Sequence, residues 1–165
     1  MSGKKKKIKK QRSEFQIFSS TGAVVHRAYV DDPSRGLRGA NLEGLVAPLG
    51  QLQGLDLTGA NLYWASLGDA DLSFADLSDA DLRGAMLYRT ICRGTKFCGA
   101  NLGRDNLRGR TNLRGADLST ADLTRAVLLD AIFDEMTKFP KGFDPEKAGM
   151  VHVENLPAGD PGRIY

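Results

Sequence analysis

Apolar positions in the middle of the chain recur every five residues. Ala60-Asn61-Leu62-Tyr63-Trp64, Ala65-Ser66-Leu67-Gly68-Asp69, Ala70-Asp71-Leu72-Ser73-Phe74, Ala75-Asp76-Leu77-Ser78-Asp79 and Ala80-Asp81-Leu82-Arg83-Gly84 follow one another without a break. With the Leu taken as the centre, centres run in phase from Leu37 to Leu107, which is 15 pentads. A one-residue slip near Gly109-Arg110 resets the phase, and five more centres run from Leu113 to Phe133. The 20 centres are 16 Leu, Phe97, Phe133, Ala47 and Cys92, so this position is apolar throughout.

A period of five fits neither ordinary element. On a helix, five steps of ~100° turn the apolar position by about 140°, so no stripe forms. On a long strand, an odd period throws successive Leu to opposite faces. The chain must therefore turn once per pentad. Ala stands two positions before 12 of the 20 centres, and both can point inward from one short extended piece. Asp or Asn lies between them in 11 pentads and points outward. Gly closes nine pentads, as a corner favours. A chain that bends the same way every five residues makes a coil, and stacked coils bury Leu on Leu at the ~4.8 Å sheet spacing.

Tandem A-[DN]-L-x-x of this kind resembles the pentapeptide-repeat family over residues 35–135. The resemblance implies an all-β fold, a right-handed quadrilateral parallel β-helix with four pentads to a coil. Twenty pentads then give about five coils, a short rod of roughly 24 Å. Positions 20 apart stack on one face, 21 across the slip, which sets Asp117 beyond Asp56, Asp76 and Lys96. Irregularity is expected in the first coil, at Leu45-Val46-Ala47-Pro48-Leu49 and Gly50-Gln51-Leu52-Gln53-Gly54, and a frayed or bulged site wherever Arg35 or Asp105 takes an inward position.

Open coil ends expose apolar faces and strand edges, so caps are expected. Residues 14–34 read as strand, turn and strand, an N-terminal β-hairpin cap. Residues 136–165 read as a C-terminal cap, with Phe139 and Phe143 plugging the last coil, followed by an extended tail over 150–165. Residues 1–13 are a basic tail expected to be disordered: Lys4, Lys5, Lys6, Lys7, Lys9, Lys10 and Arg12 self-repel and have no apolar face to bury. This tail carries the excess charge. Residues 1–34 have net charge +5, residues 35–135 have −2 and residues 136–165 have zero, within +3 for 165 residues. The run either touches phosphate, in nucleic acid or at an acidic membrane surface, or is a solvated tail.

Chemistry is sparse. His26 and His152 are the only two His, no zinc spacing exists, and no phosphate-binding loop or nucleophile elbow appears. No catalytic, cofactor or metal site is therefore expected. No stretch reaches the ~20 apolar residues of a membrane helix, and two cysteines make no disulfide framework, which points to a cytoplasmic protein. Cys92 is a centre and points inward; Cys98 points out. The Asp residues follow the repeat, as structural positions do, and this argues against a polysaccharide-acting β-helix enzyme. The expected role is a non-enzymatic scaffold for a protein partner. Its candidate surface is Tyr63, Trp64, Phe74, Met86, Tyr88 and Arg89, because Trp, Tyr and Arg are common interface anchors. The resemblance offers an alternative, a DNA mimic that binds a type II topoisomerase (gyrase), as quinolone-resistance members do.

Overall fold

A computed structural model describes residues 13–19, 21–30, 34 and 36–160. The basic run Lys4–Arg12, Arg35 and residues 161–165 lie outside the described residues. Among the described residues no helix is long and apolar enough to cross a membrane.

Each pentad is a short extended piece closed by a turn. The N–H three residues after a centre donates to that centre's carbonyl, as from Ala65 to Leu62 and from Ala70 to Leu67, both at 3.0 Å. The residue two after the centre takes a left-handed φ. Gly59 and Gly84 do so at 65° and 70°, but so do Trp64, Asp69, Phe74 and Asp79 at 57–61°. That bond, with positive φ at the second central residue, is a type II turn. A left-handed conformation costs a residue with a β-carbon roughly 1–2 kcal/mol, which the stack must offset.

The Asp or Asn before the centre has its own task. One N–H per pentad bonds to neither the turn nor a neighbouring coil, that of the residue just after the centre. The carboxylate or amide oxygen two residues back accepts it: Ser73 N–H to Asp71 at 2.9 Å, Ser78 to Asp76 at 3.0 Å, Gly103 to Asn101 at 3.1 Å and Thr124 to Asp122 at 2.9 Å. This Asx turn accounts for the residue type at that position.

Coils stack through parallel bridges 20 residues apart, Asn41 to Asn61 to Asp81 to Asn101, so one turn of the β-solenoid takes four pentads. Bonds such as Leu72 N–H to Ile91 O at 2.8 Å and Phe74 N–H to Arg93 O at 2.9 Å hold coil to coil. Leu62, Leu67, Leu72, Leu77, Leu82 and Leu87, with Ala60, Ala65, Ala70, Ala75 and Ala80, are fully buried. Where Thr replaces the inward Ala, its hydroxyl finds a backbone carbonyl: Thr90 reaches Leu67 O at 3.0 Å and Thr95 reaches Leu72 O at 2.8 Å.

The structure corrects the phase slip. Bridges spaced 20 up to Asp81–Asn101 become 26 at Met86–Asn112, Ile91–Asp117, Lys96–Asp122 and Asn101–Val127, then return to 20 at Asn112–Ile132. Six residues, 105–110, are extra, not one. Leu107 is no centre; it is 76% exposed. The physical reason is Asp105, which would occupy the inward Ala position of that pentad. Burying a carboxylate unpaired in an apolar core is costly, so the whole pentad is looped out. The same six residues re-seat the later faces. Asp117 stacks on Ile91, while Lys96 faces Asp122. The ladder continues in register on both sides. The first coil is also more regular than expected: Val46 bridges Ser66, Gln51 bridges Asp71, and Leu49 takes the left-handed corner at φ 58°.

At the N-terminal end, β1 (Ser13–Ser19) pairs antiparallel with β2 (Val24–Val30). β1 also pairs with β3 (Gly50–Gln51), through Phe18–Gln51 and Ser19–Gly50. Buried Ile17 lies against Gly50, where a β-carbon would stand 3.6 Å from Ile17 Cγ2. At the other end, β4 (Ile132–Phe133) pairs parallel with β5 (Val151–His152). Phe139 meets Phe133 edge-on at 5.6 Å and stacks on Phe143 at 5.2 Å. The extended tail expected from residue 150 onward is instead folded as far as 160, because Met150 and Leu156 are apolar and become buried.

Two predictions follow from this packing. Leu77→Asp places an unpaired charge in the core and should abolish cooperative unfolding or lower Tm severely, whereas Ser78→Asp, one residue on, should shift Tm little. Equal melting curves for the two variants would show the inward phase to be wrong. The second concerns acid. Hydrogen bonds from Thr58, Arg89, Ser78 and Arg83 hold Asp56, Asp69, Asp76 and Asp81 below the ordinary carboxylate range, and those from Thr124 bring Asp122 to about 2. Groups depressed in the folded state stabilise it fully above their unfolded value of about 4, and that stability drains as pH falls toward about 2. Tm should be flat from neutral pH to about 5 and decline below about 4; a Tm at pH 3 equal to that at pH 7 would contradict the Asx role.

Candidate interaction surface

Five of the six candidate side chains fall on three successive corners of the coil, and Met86 lies on a face beside one of them. Tyr63 and Trp64 share the first, with ring centroids 6.3 Å apart. Tyr88 and Arg89 share the second, beside half-buried Met86 on the adjoining face. Phe74 stands on the third and is 74% exposed. The fold thus gathers Met86, Tyr88 and Arg89, and separately Tyr63 with Trp64, but does not make one patch of all six.

Large side chains on these corners sit over glycines one coil away. Tyr88 lies across Gly68, where a β-carbon would collide with the Tyr88 ring. Phe74 covers Gly94 in the same way, at 2.7 Å. Arg89 holds Asp69 with two bonds of 2.7 Å, and its guanidinium carbon lies 5.4 Å from the Tyr88 ring centroid. Tyr88, Arg89, Arg114, Met136 and Lys138 border a cleft of about 540 Å³.

The irregularity expected at Asp105 falls on the first corner, and its anchorage there by Tyr63 and Trp64 was not legible in the sequence. The extra residues 105–110 leave the coil here, and Asp105 holds them down. Its carboxylate accepts from Trp64 Nε1–H at 2.6 Å, Tyr63 Oη–H at 3.0 Å, Leu107 N–H at 2.8 Å and Gly109 N–H at 2.5 Å. Its own N–H donates to Gly109 O at 2.8 Å. Burial pushes the Asp105 pKa up, but the bonds from Trp64, Gly109, Tyr63 and Leu107 outweigh it, so the group stays below the ordinary carboxylate range. Tyr63 responds in the other direction: burial first, then the Asp105 bond, raises its phenol pKa. The polar ends of Tyr63 and Trp64 are thereby used within the chain, while Trp64 as a residue remains 49% exposed. Arg110, at the loop's far end, pairs with Asp130 at 3.2 Å and Asp160 at 3.6 Å. One signal for this loop was present in the sequence: an Asp at an inward position next to a break in phase.

Charges elsewhere cancel between coils. Lys96 pairs with Asp76 at 3.2 Å, Arg93 with Asp117 at 2.8 Å, Arg104 with Asp130 at 3.5 Å and Arg114 with Asp134 at 3.7 Å. Cys92 is buried and its thiol pKa is pushed up by that burial. The Cys98 thiol donates to Asp122 at 3.1 Å, a bond that also raises its pKa.

This geometry accords with the comparisons. The family model for pentapeptide repeats matches residues 37–72, 65–104 and 109–135 in eight copies, more than half of the chain. The chain belongs to the pentapeptide-repeat family. The matches leave out 105–108, inside the looped-out segment. Among solved structures it is similar to HetL, a pentapeptide-repeat protein involved in heterocyst differentiation regulation in the cyanobacterium Nostoc sp. strain PCC 7120. That similarity is 30% identity over 69% of this chain and 58% of HetL, at a TM-score of 0.44. It is also similar to QnrB1, a plasmid-mediated fluoroquinolone resistance protein, at 19% identity over 70% of this chain and 56% of the other, with a TM-score of 0.46. Rfr23 from the cyanobacterium Cyanothece 51142 is 27% identical over 61% of this chain and 88% of its own, at a TM-score of 0.19. The chain thus spans less than two thirds of HetL's length. No curated protein matches it.

The single Trp reports on the loop. Asp105→Ala leaves the Trp64 indole N–H and two loop N–H groups without their acceptor. Trp64 emission should shift and its quenching by acrylamide should rise, while the far-ultraviolet circular dichroism of the coil is kept. Destabilisation of about 2–3 kcal/mol is expected, the worth of hydrogen bonds to a charged group. Unchanged Trp64 quenching would mean that Asp105 does not anchor the loop.

Proposed function

We propose that this chain is a non-enzymatic scaffold, a right-handed quadrilateral pentapeptide-repeat β-helix that presents side chains on its corners to a protein partner. The observation that carries the reading is how side chains are divided between inside and outside uses. Asp and Asn side chains are taken up by Asx turns and coil-to-coil ion pairs, whereas Trp64, Phe74 and Leu129 are left at the surface. An enzyme working through general acid catalysis needs a carboxylate with a raised pKa, and Asp56, Asp69, Asp76 and Asp81 are shifted the other way. The alternative of DNA mimicry calls for a continuous negative surface near one charge per 1.7 Å. Lys96, Arg89, Arg93 and Arg114 each sit on an Asp that such a surface would need free. Two free cysteines suit a reducing compartment such as the cytoplasm. We assign the basic run Lys4–Arg12 an auxiliary contact with phosphate.

Deleting residues 1–12 takes the net charge from +3 to −4. Binding to labelled duplex should then fall sharply and lose its steep salt dependence, because counterion release follows the phosphates neutralised. Binding to a protein partner should survive, since it rests on packing. The purified chain should leave DNA supercoiling by a type II topoisomerase unchanged. Duplex affinity unaffected by truncation would turn the reading toward nucleic acid, and inhibition of supercoiling toward mimicry.

A further inference from the structure

We infer that the loop 105–110 is a recognition finger for a protein partner that offers an apolar pocket beside a carboxylate. This deepens the protein-binding reading above and rests on it. The loop is not needed to close the coil. Without it Arg104 would run into Thr111 in unbroken pentad order, and the bridges on either side already keep register.

The base and the tip of the loop differ in character. At the base, Asp105 is buried and its bonds to Tyr63, Trp64, Leu107 and Gly109 fix the loop on the corner. At the tip, Leu107 is 76% exposed and Asn106 and Arg108 are exposed beside it. Arg89, Arg93, Arg104, Arg110 and Arg114 are all ion-paired, whereas Arg108 and, on a repeat corner, Arg125 have no ion pair among the described residues. Arg108 also takes a left-handed φ of 72°, outside any repeat corner. Strain of that kind, held by surrounding bonds, collects at functional sites.

The partner's chemistry is set by the tip. A Leu held out on a fixed loop gains from water only by entering an apolar pocket. A guanidinium with unused donors is matched by a carboxylate, which it can hold with two parallel bonds. Fixing the loop beforehand lowers the entropy lost on binding. A nucleic acid would satisfy Arg108 but takes up Leu107 only by unstacking a base step, which costs about a few kcal/mol, so a preformed apolar pocket in a protein fits the tip better.

The test places the photocrosslinking residue p-benzoylphenylalanine at position 107, 74 or 46 of the full chain in the source cell. The crosslinked protein is identified, purified and titrated against wild type, Leu107→Ser and Arg108→Glu. Both variants change exposed side chains and should keep the wild-type Tm. An adduct from position 107 with one protein is expected, with Kd weakened about tenfold or more by each variant. Reversing one carboxylate of that protein to Arg should restore binding of Arg108→Glu. Adducts from position 74 but not 107 overturn the finger and leave the scaffold reading standing. Adducts from none of the three positions overturn both. An adduct from 107 with a second copy of this chain or with nucleic acid overturns the finger, as does affinity unmoved by either variant.

Discussion

Everything in this molecule depends on one backbone constraint, the left-handed residue that closes a type II turn every five residues. It fixes the direction of the next extended piece, and four such turns bring the chain back over itself after 20 residues. Only then does a centre Leu stand over another and an inward Ala over an Ala. Gly adopts this conformation at no steric cost, yet Leu49, Trp64, Asp69, Phe74, Asp79 and Arg89 adopt it too. The stack of buried Leu and coil-to-coil hydrogen bonds must therefore hold those corners in place. A large residue at a corner has a second requirement, a small one beneath or above it, as Gly68 provides for Tyr88 and Gly94 for Phe74.

The same constraint decides what is left for function. The corner leaves one N–H per pentad without a backbone partner, and where Asp or Asn precedes the centre its side chain takes it. Second oxygens of several of these carboxylates then meet Arg or Lys from a neighbouring coil, as Asp76 meets Lys96 and Asp117 meets Arg93. An acidic repeat is thus largely neutralised by its own scaffold. What remains outside this scheme is apolar or looped out: Phe74, the face of Trp64, the Tyr88 cleft, and the finger that Asp105 anchors.

Much of the fold was legible because its signal is periodic. The inward Ala and Leu, the outward Asp and the corner Gly follow from a five-residue period and the reach of an extended chain. The looped-out segment was not, because Leu107 keeps the spacing of a centre without the neighbours of one. Spacing alone cannot distinguish five residues that complete a coil from five that leave it. Asp105 carried the physical clue, a charge at a core position, but its resolution lay in Tyr63 and Trp64, about 40 residues away in sequence. Miscounting those residues also moved every later face, so that Asp117 seemed to follow Lys96 when it stands over Ile91. The surface candidates depend on the fold in a related way. Residue type marks Tyr, Trp and Arg as anchors, but only the fold shows that Tyr63 and Trp64 turn their polar ends to Asp105.

The central claim is that six residues, not one, interrupt a continuous coil. Thermal unfolding of two deletion variants tests it most directly. Removing residues 105–110 restores pentad order from Arg104 to Thr111, and the account predicts the same coil circular dichroism and a single cooperative transition close to that of the parent. Removing Arg110 alone shortens an anchored loop without correcting any register, and the account predicts a lower Tm. A stable protein after loss of Arg110 together with collapse after loss of 105–110 would contradict it, and would place Leu107 back among the buried centres.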